Sequence, residues 1–395
     1  MDSSPRLPGA VWVLGVVGFC VSVGFGVVVP VLPVLARTFE VSAFLVGVVL
    51  SSFALVRLLS TPLAPRLTEA WGEATVVAVG CMVVAGSSVA TGLADSYPAL
   101  LASRAAGGIG SAMFSLAAQR LIIRVSPAPV LGRASSILGG GFLLGSMAGP
   151  AIGGALASIS LTAPFFFYAA TLAVASLVAV TALPRPGRHE QADVESLPLS
   201  AALRDPRYRA ALMSAFSSGW QSQGARGLVV PLLVTEVLLL PAARSGVAFA
   251  LASAAQAVTV YLAGWLTDRA GRRPVLVTGS LLTATLGVGF AMAGSFTWLV
   301  VLLCLYGVGA SLSSTSTQAV LGDAVGPRRG PALAAYQMVG DLGMIVGPLA
   351  VGLLLDHYPA ATAMSAGAAL LLVTAALAAA VPRRRAAHEP RTGLR

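Results

Sequence analysis

The chain has 395 residues, of which 56% are apolar and only 10% charged, and its mean hydropathy is +0.86. Soluble domains carry charge on about a quarter of their residues, so this composition excludes a water-soluble fold. All 25 basic residues are arginine, and the absence of lysine excludes both a nucleotide-binding P-loop and enzymes that use a lysine Schiff base or lysine base.

Apolar stretches long enough to cross a membrane follow one another along the chain. A helical crossing takes about 20 apolar residues, and the pattern predicts twelve, termed spans one to twelve. Spans one to six are predicted at 9–33, 42–63, 74–94, 98–123, 133–157 and 163–183. Spans seven to twelve are predicted at 210–235, 246–266, 274–294, 297–322, 331–355 and 360–381. The first is too long for a secretory signal and continues into further spans.

The arginines are distributed unevenly between the two ends of these spans. With the N-terminus in the cytoplasm, 20 arginines lie in cytoplasmic segments and two, Arg37 and Arg244, in outer loops. Cytoplasmic loops are enriched in basic residues, so both termini are predicted in the cytoplasm, and this topology accounts for the net charge of +10. Because the basic residues are dispersed over many loops, a nucleic-acid partner is not expected.

A polar interruption at 184–209 separates spans six and seven. It predicts a cytoplasmic linker between an N-terminal bundle, residues 1–183, and a C-terminal bundle with a basic tail, residues 210–395. Landmarks repeat between the halves at offsets of 198 or 199 residues, among them Glu69-x-x-Gly72, which returns as Asp268-x-x-Gly271. The repeat predicts an all-α integral membrane fold, with twelve transmembrane helices in two pseudo-symmetric six-helix bundles.

A few ionisable side chains lie within the predicted spans, where charge is costly and commonly functional. Arg104 lies about seven residues into span four, Arg226 is deep in span seven, and Arg57 lies near the inner end of span two. Arg104 is a candidate for binding an anionic substrate group, for proton coupling or for bonding backbone carbonyls. Asp341, about ten residues into span eleven, is the only deeply placed carboxylate. Two interpretations of it stay open: a proton carrier, or a packing partner of a cytoplasmic arginine.

Uncharged polar side chains at helical spacing predict a cavity between the bundles. Ser111, Ser115 and Gln119 share one face of span four, and Ser314 and Gln318 repeat the arrangement in span ten. In span seven, Trp220, Gln221 and Gln223 accompany Arg226.

Three stretches resemble the major facilitator superfamily of secondary transporters. The loop after span eight is similar to the superfamily's signature loop through Asp268, Arg269, Gly271, Arg272 and Arg273. The segment around Arg104 resembles its arginine-containing motif. Span five is similar to a motif of its drug/proton antiporters through Gly141, Gly145, Gly149, Pro150, Gly153 and Gly154, and span eleven repeats it in part through Gly343, Gly347 and Pro348.

The N-terminal copy of the signature loop departs from the family pattern. It keeps Glu69 and Gly72 but lacks the basic residues, with Glu73 at one of the positions where they are usual. We therefore expect substitutions of Asp268 or Arg272 to impair transport more than those of Glu69 or Glu73, because the N-terminal loop has fewer interactions to lose.

The resemblance implies two bundles that rock about a site lined by spans one, four, seven and ten. It implies proton-coupled efflux of a small amphipathic compound or drug. A nutrient uptake carrier and a non-transporting membrane sensor stay open as alternatives. The scattered histidines and cysteines form no metal cluster, so neither a cofactor nor enzyme activity is expected. The expected partners are the lipid bilayer, a small-molecule substrate and protons, for a monomer in the inner (plasma) membrane.

Overall fold

Long apolar helices make up almost all of the described structure, a computed structural model that covers residues 7–127, 130–184, 198–325 and 330–381. Within these residues, eleven helices are long and apolar enough to cross a membrane. Those of the first half are α1 (Gly9–Val28), α2 (Ala43–Ser60), α3 (Glu73–Gly92), α4 (Tyr97–Val125), α5 (Leu131–Ala157) and α6 (Ala163–Ala182). Those of the second half are α8 (Ala243–Arg269), α9 (Arg272–Gly289), α10 (Phe296–Val325), α11 (Gly330–His357) and α12 (Ala360–Ala379).

The seventh span is helical throughout but is not one regular α-helix. It begins as α7 (Pro206–Trp220) and continues as a π-helical segment (Gln221–Val229), a short α-turn and further π-helical turns that end at Val237. π-Helical turns are rare and are frequently found at functional sites. This span completes the predicted twelve, and its π-helical segment carries Gln223 and Arg226.

The bundle has two ends, which we name by their connections. Successive helices are antiparallel, so the even-numbered helices all end on the side of the predicted linker, here called the linker face, and the odd-numbered helices end at the far face. Short helices lie at the far face (Leu32–Arg37) and at the linker face (Leu63–Trp71). Residues 185–197 and the basic tail from residue 382 are outside the described residues, so the domain boundaries stay a prediction.

Two equivalent glycines set the start of α3 and α9. Gly72 and Gly271 precede these helices with φ values of 79° and 94°, a conformation that glycine adopts without a Cβ clash. They lie 199 residues apart and belong to the two copies of the signature loop. The repeat seen in the sequence is therefore also a repeat of backbone conformation.

Glycines bring the first and fifth helices of each half into close contact. Four residues of α5 lie so near α1 that an added Cβ would overlap an α1 carbonyl oxygen: Gly141, Gly145, Gly149 and Gly153. In the second half, Gly343 and Gly347 of α11 meet the α7 backbone at Phe216 and Trp220. Close van der Waals packing of small residues is a main source of helix association in lipid, so these contacts stabilise each bundle.

Two helix crossings near the far face join the halves. Gly47 of α2 meets the backbone of Pro348 of α11, and Gly246 of α8 meets the backbone of Pro150 and Gly154 of α5. The two glycines lie 199 residues apart and the two prolines 198, so the crossings are equivalent by the sequence repeat. The structure thus places the span-five motif both within its bundle and between the halves.

Candidate functional site

A cavity of about 10 Å³, roughly the space of one water molecule, lies between the halves and is lined by apolar side chains and by one charged side chain, Arg104. The lining residues are Phe25, Val28, Val29, Leu32, Leu50, Phe53, Ala54, Arg104, Gln223 and Met344. The rings of Phe25 and Phe53 lie 6.2 Å apart between centroids and form an aromatic wall. The cavity therefore offers an apolar surface with a cation and an amide, Gln223, at its edge.

Arg104 is buried in α4 and has no ion-pair partner in the part of the chain that the structure describes. Its residue is 3% exposed, its Nε has no hydrogen-bond partner among the described residues, and its guanidinium carbon lies 4.9 Å from the Phe53 ring centroid. Placing an arginine at the centre of a membrane helix costs about 2.5–3.5 kcal/mol on the insertion scale. A cation–π contact offsets about 0.5–2 kcal/mol of that. The guanidinium is thus kept at a net cost in stability, with donors free for a ligand.

Trp220 and Gln221 do not line this cavity. A Cβ added to Gly367 of α12 would lie 3.1 Å from the Trp220 Nε1 and 3.3 Å from the Gln221 Nε2, so both side chains face α12 inside the second half. Successive helical residues are rotated by about 100°, which directs Gln221 away from the side of Gln223. Sequence neighbours in this span therefore face different surroundings.

The other predicted cavity residues lie outside this lining. Ser111, Ser115 and Gln119 are partly buried further along α4 towards the linker face, and Arg226 is partly buried on the π-helical segment. Ser314 and Gln318 of α10 are exposed, and Gln318 borders a separate recess near the linker face. Helices α2 and α11 contribute residues to this lining, whereas α10 contributes none.

Asp341 forms an ion pair with Arg57 across the two halves. Asp341 Oδ1 accepts from Arg57 Nη2, and the side chains are 16% and 26% exposed. Ser51 Oγ donates to the carbonyl of Ile345 at 2.7 Å and joins the same helices, α2 and α11. Asp341 therefore has an arginine partner at membrane depth, and this partner comes from the opposite half.

Further polar contacts close the far face. Arg37 donates two hydrogen bonds to Glu236, at 2.6 and 2.9 Å, and these bonds raise the pKa of the Arg37 guanidinium. Asp356 at the end of α11 accepts from the backbone N–H groups of Ala43 and Phe44, at 2.8 and 2.9 Å. We call the Arg37–Glu236 contact the far-face pair.

The polar contacts between the halves are confined to one side of the molecule. Within the described residues, all of them lie between the Arg57–Asp341 pair and the far face, and none lies nearer the linker face. The far-face pair joins positions 199 residues apart, which are equivalent in the repeat. The halves are thus held together about their pseudo-symmetry axis at the far face.

Each half has an ion pair at the equivalent position of the linker face, but the acidic and basic residues are interchanged between the halves. Glu73 pairs with Arg124 of α4 at 3.0 Å, and Arg272 pairs with Asp323 of α10 at 3.0 Å. Residues 73 and 272, like 124 and 323, are 199 apart. Each half therefore fastens the start of its third helix to the end of its fourth, with acid and base exchanged.

The acids of the N-terminal loop have ion-pair partners although the loop lacks the usual basic residues. Its acids take their partners from α4, since Glu69 lies 3.8 Å from Arg120 in addition to the Glu73–Arg124 pair. In the second loop, Asp268 is exposed and has no ion pair among the described residues. Arginines distant in sequence thus replace the missing basic residues of the loop.

The remaining basic residues of the second loop have other contacts. Arg273 Nη1 donates to the carbonyl of Val381 at 3.2 Å, and the Arg269 guanidinium stacks on Trp265 at 5.1 Å. These contacts tie the loop to the end of α12 and to its own helix.

Sequence reasoning missed two groups of residues in this region. Phe25, Phe53 and Met344 carry no signal among many apolar residues. The ion pairs do have a sequence signal, because each of their residues has a charged residue 199 positions away. Arg37 and Glu236 are themselves 199 residues apart, and the pair Glu73–Arg124 corresponds in this way to the pair Arg272–Asp323. Applying the repeat to charged residues as well as to glycines would have found them.

Comparison with known families identifies one match along nearly the whole chain. The sequence profile described as Major Facilitator Superfamily matches residues 14–238 and, a second time, residues 211–395. The chain is 27% identical over 173 residues to "Multidrug resistance protein 1" of Bacillus subtilis, a match covering 44% of each chain. It is 28% identical over 183 residues to "Quinolone resistance protein NorA" of Staphylococcus aureus, covering 45% of this chain and 46% of that one. The matched region spans less than half the length of these relatives.

Solved transporter structures share the fold at low sequence identity. A bacterial homologue of the human lysosomal transporter Spinster, solved in an inward-facing and unoccupied conformation, gives a TM-score of 0.77 at 17% identity, over 93% of this chain and 95% of that one. The nucleoside transporter NupG (D323A mutant) gives 0.76 at 15% identity, over 95% and 100%.

Proposed function

This chain belongs to the major facilitator superfamily of transporters, and we propose that it exports a small amphipathic compound in exchange for protons. Two relatives named for multidrug and quinolone resistance support the efflux direction. The observation that carries the proposal is the cavity between the halves, with buried Arg104 and with inter-half polar contacts on its far-face side. A site between two repeats that separate alternately at each end is the arrangement that alternating access requires.

The arginine distribution supports a cytoplasmic linker face. With 20 arginines on the linker side and two on the far side, the positive-inside rule orients the far face outwards. In this orientation the far-face pair and the Asp356 contacts close the cavity towards the outside. The described conformation is then closed on its outer side.

Asp341 is the proposed proton carrier, with Arg104 as the second coupling candidate. Deprotonated Asp341 pairs with Arg57 and holds α2 against α11. In the conformation open at the far face, Asp341 would be separated from Arg57 and would take up a proton from outside. After return to the conformation closed at the far face, release of this proton to the cytoplasm would restore the pair, so that one proton enters in each export cycle.

The test is transport into inverted membrane vesicles, with norfloxacin and ethidium as probes. We expect proton-gradient-driven accumulation of at least one probe, which a protonophore abolishes. Arg104→Ala is the matched variant: its insertion is less costly, so expression should hold or rise while transport falls. Equal accumulation by vesicles with and without the protein contradicts efflux. Proton-coupled uptake into right-side-out vesicles would instead identify an importer.

A further inference from the structure

The cavity contains a buried cation, Arg104, that forms no ion pair with any of the described residues. We propose that Arg104 binds a carboxylate and that the transported compounds are amphipathic organic anions with an aromatic or aliphatic body. This inference rests on the proposed export function and names its substrate class.

The first step is the free hydrogen-bonding capacity of Arg104. Its residue is 3% exposed, its Nε is buried without a partner, and no hydrogen bond from its guanidinium is present within the described residues. Phe53 covers the guanidinium at 4.9 Å and restricts its orientation. A planar guanidinium held in this way can donate two parallel hydrogen bonds to a carboxylate.

The second step is the absence of an internal counter-ion. None of the residues that line the cavity is acidic. Asp341, one helical turn from Met344 on α11, is paired with Arg57, and Glu236 is paired with Arg37. The negative charge that would neutralise Arg104 is therefore left for a ligand to supply.

The third step is the character of the walls. Phe25 and Phe53 present aromatic rings, and Leu50 and Met344 add aliphatic surface. Gln223, 8% exposed, has no side-chain hydrogen bond among the described residues and offers an amide N–H to the same ligand. A small inorganic anion would leave these walls unused, and an organic cation would be repelled by Arg104 in a site of low dielectric constant.

The experiment compares three ligands with one ring system and different charge. Purified full-length protein in lipid nanodiscs is titrated with 2-naphthoate, 2-naphthamide and 2-naphthylmethylammonium, and binding is measured by competition with radiolabelled 2-naphthoate. We expect the carboxylate to bind about tenfold or more tightly than the amide, as charge-assisted hydrogen bonds require. The ammonium should not compete.

Variants assign the preference to Arg104. Arg104→Gln should reduce carboxylate binding to the level of the amide, and Arg104→Lys should restore part of it. Arg244→Gln is the matched control, because Arg244 also stacks on an aromatic ring, Phe296 at 5.4 Å, but lies beside the far face. This control should leave all three affinities unchanged.

Any of four outcomes would overturn the anion site. The carboxylate does not bind, it binds no more tightly than the amide, the ammonium binds more tightly, or Arg104→Gln keeps the full preference for the carboxylate. If the arginine variants fail to fold, the ranking of the three ligands on the unmodified protein still decides. Proton-driven export of a cation without carboxylate binding overturns the anion site alone. Carboxylate binding without any transport overturns the export function alone.

Discussion

Asp341 and Arg57 neutralise each other at membrane depth across the two halves. Removing one partner of a buried pair is costly, about 3–5 kcal/mol in soluble proteins, because it leaves an uncompensated charge. An arginine does not lose its proton in proteins, whereas a carboxylate can gain one. Asp341 is thus the member of the pair that can change its charge during a transport cycle.

Asp341→Asn should abolish proton-driven accumulation in inverted vesicles while substrate binding and gradient-free exchange persist. The amide keeps the shape of the side chain but cannot carry a proton. Ser51→Ala removes a hydrogen bond between the same two helices without changing a titratable group, so proton-driven transport should persist in this control. Concentrative transport by Asp341→Asn would place the carrier elsewhere.

At the scale of helices, the close contact between α1 and α5 depends on glycines, because a side chain with a Cβ would not fit between the two backbones. Gly141 lies against the carbonyl of Gly15, whereas its neighbour Gly140 has no atom within 4 Å of an added Cβ. Gly141→Ala should lower the free energy of unfolding by about 1–3 kcal/mol, the range for overpacking. Gly140→Ala should be neutral or stabilising, because alanine favours helix. Thermal unfolding of purified protein measures both, and equal midpoints for the two variants would contradict close packing at Gly141.

The linker-face ion pairs predict that the acidic and the basic residue of one pair can be swapped without loss of the pair. Glu73→Gln should lower the thermal midpoint and transport because Arg124 loses its partner. The exchange Glu73→Arg with Arg124→Glu copies the polarity of Arg272–Asp323 and should recover most of both. Contacting residues commonly couple by about 0.5–3 kcal/mol in double-mutant cycles. Additive losses in the double variant would show that the two residues act independently.

At the scale of the whole molecule, the far-face pair biases the equilibrium between open and closed states. Glu236→Gln should increase the population open at the far face by a few-fold, because an ion pair that is about one-third exposed contributes about 0.2–1 kcal/mol. The readout is labelling of Val29→Cys in the cavity by an external maleimide, with the native cysteines replaced. Arg37→Glu with Glu236→Arg should restore the original rate. An unchanged rate in Glu236→Gln would contradict this role for the pair.

The orientation of the molecule has a direct test. Cysteines at Ala201, in a short helix (Leu199–Ala202) before α7, and at Ala361, at the far-face end of α12, should label from opposite sides of the membrane. We expect external reagent to reach only Ala361→Cys in intact cells. External labelling of Ala201→Cys would reverse the predicted topology.

The sequence alone determined the spans, the repeat and the buried Arg104. Hydropathy and helix length are local properties in a bilayer, because every backbone polar group must be satisfied inside its own helix. Eleven of the twelve predicted spans are therefore helical to within four residues of their predicted ends, whereas the first helix ends at Val28, five residues before its predicted end. The glycine motif could also be recognised in the sequence, because close helix packing requires small residues at a fixed spacing.

The tertiary structure alone decided which side chains share a cavity. Gln221 and Gln223 are separated by one residue, yet one faces α12 and the other lines the cavity, because the rotation of the π-helical segment is set by its neighbours. The ion-pair partner of Asp341 is known only from the tertiary structure, in which α11 crosses α2 beside Arg57. Charge and polarity mark a residue as costly to bury, but its partner depends on how the two halves are placed, which no local pattern encodes.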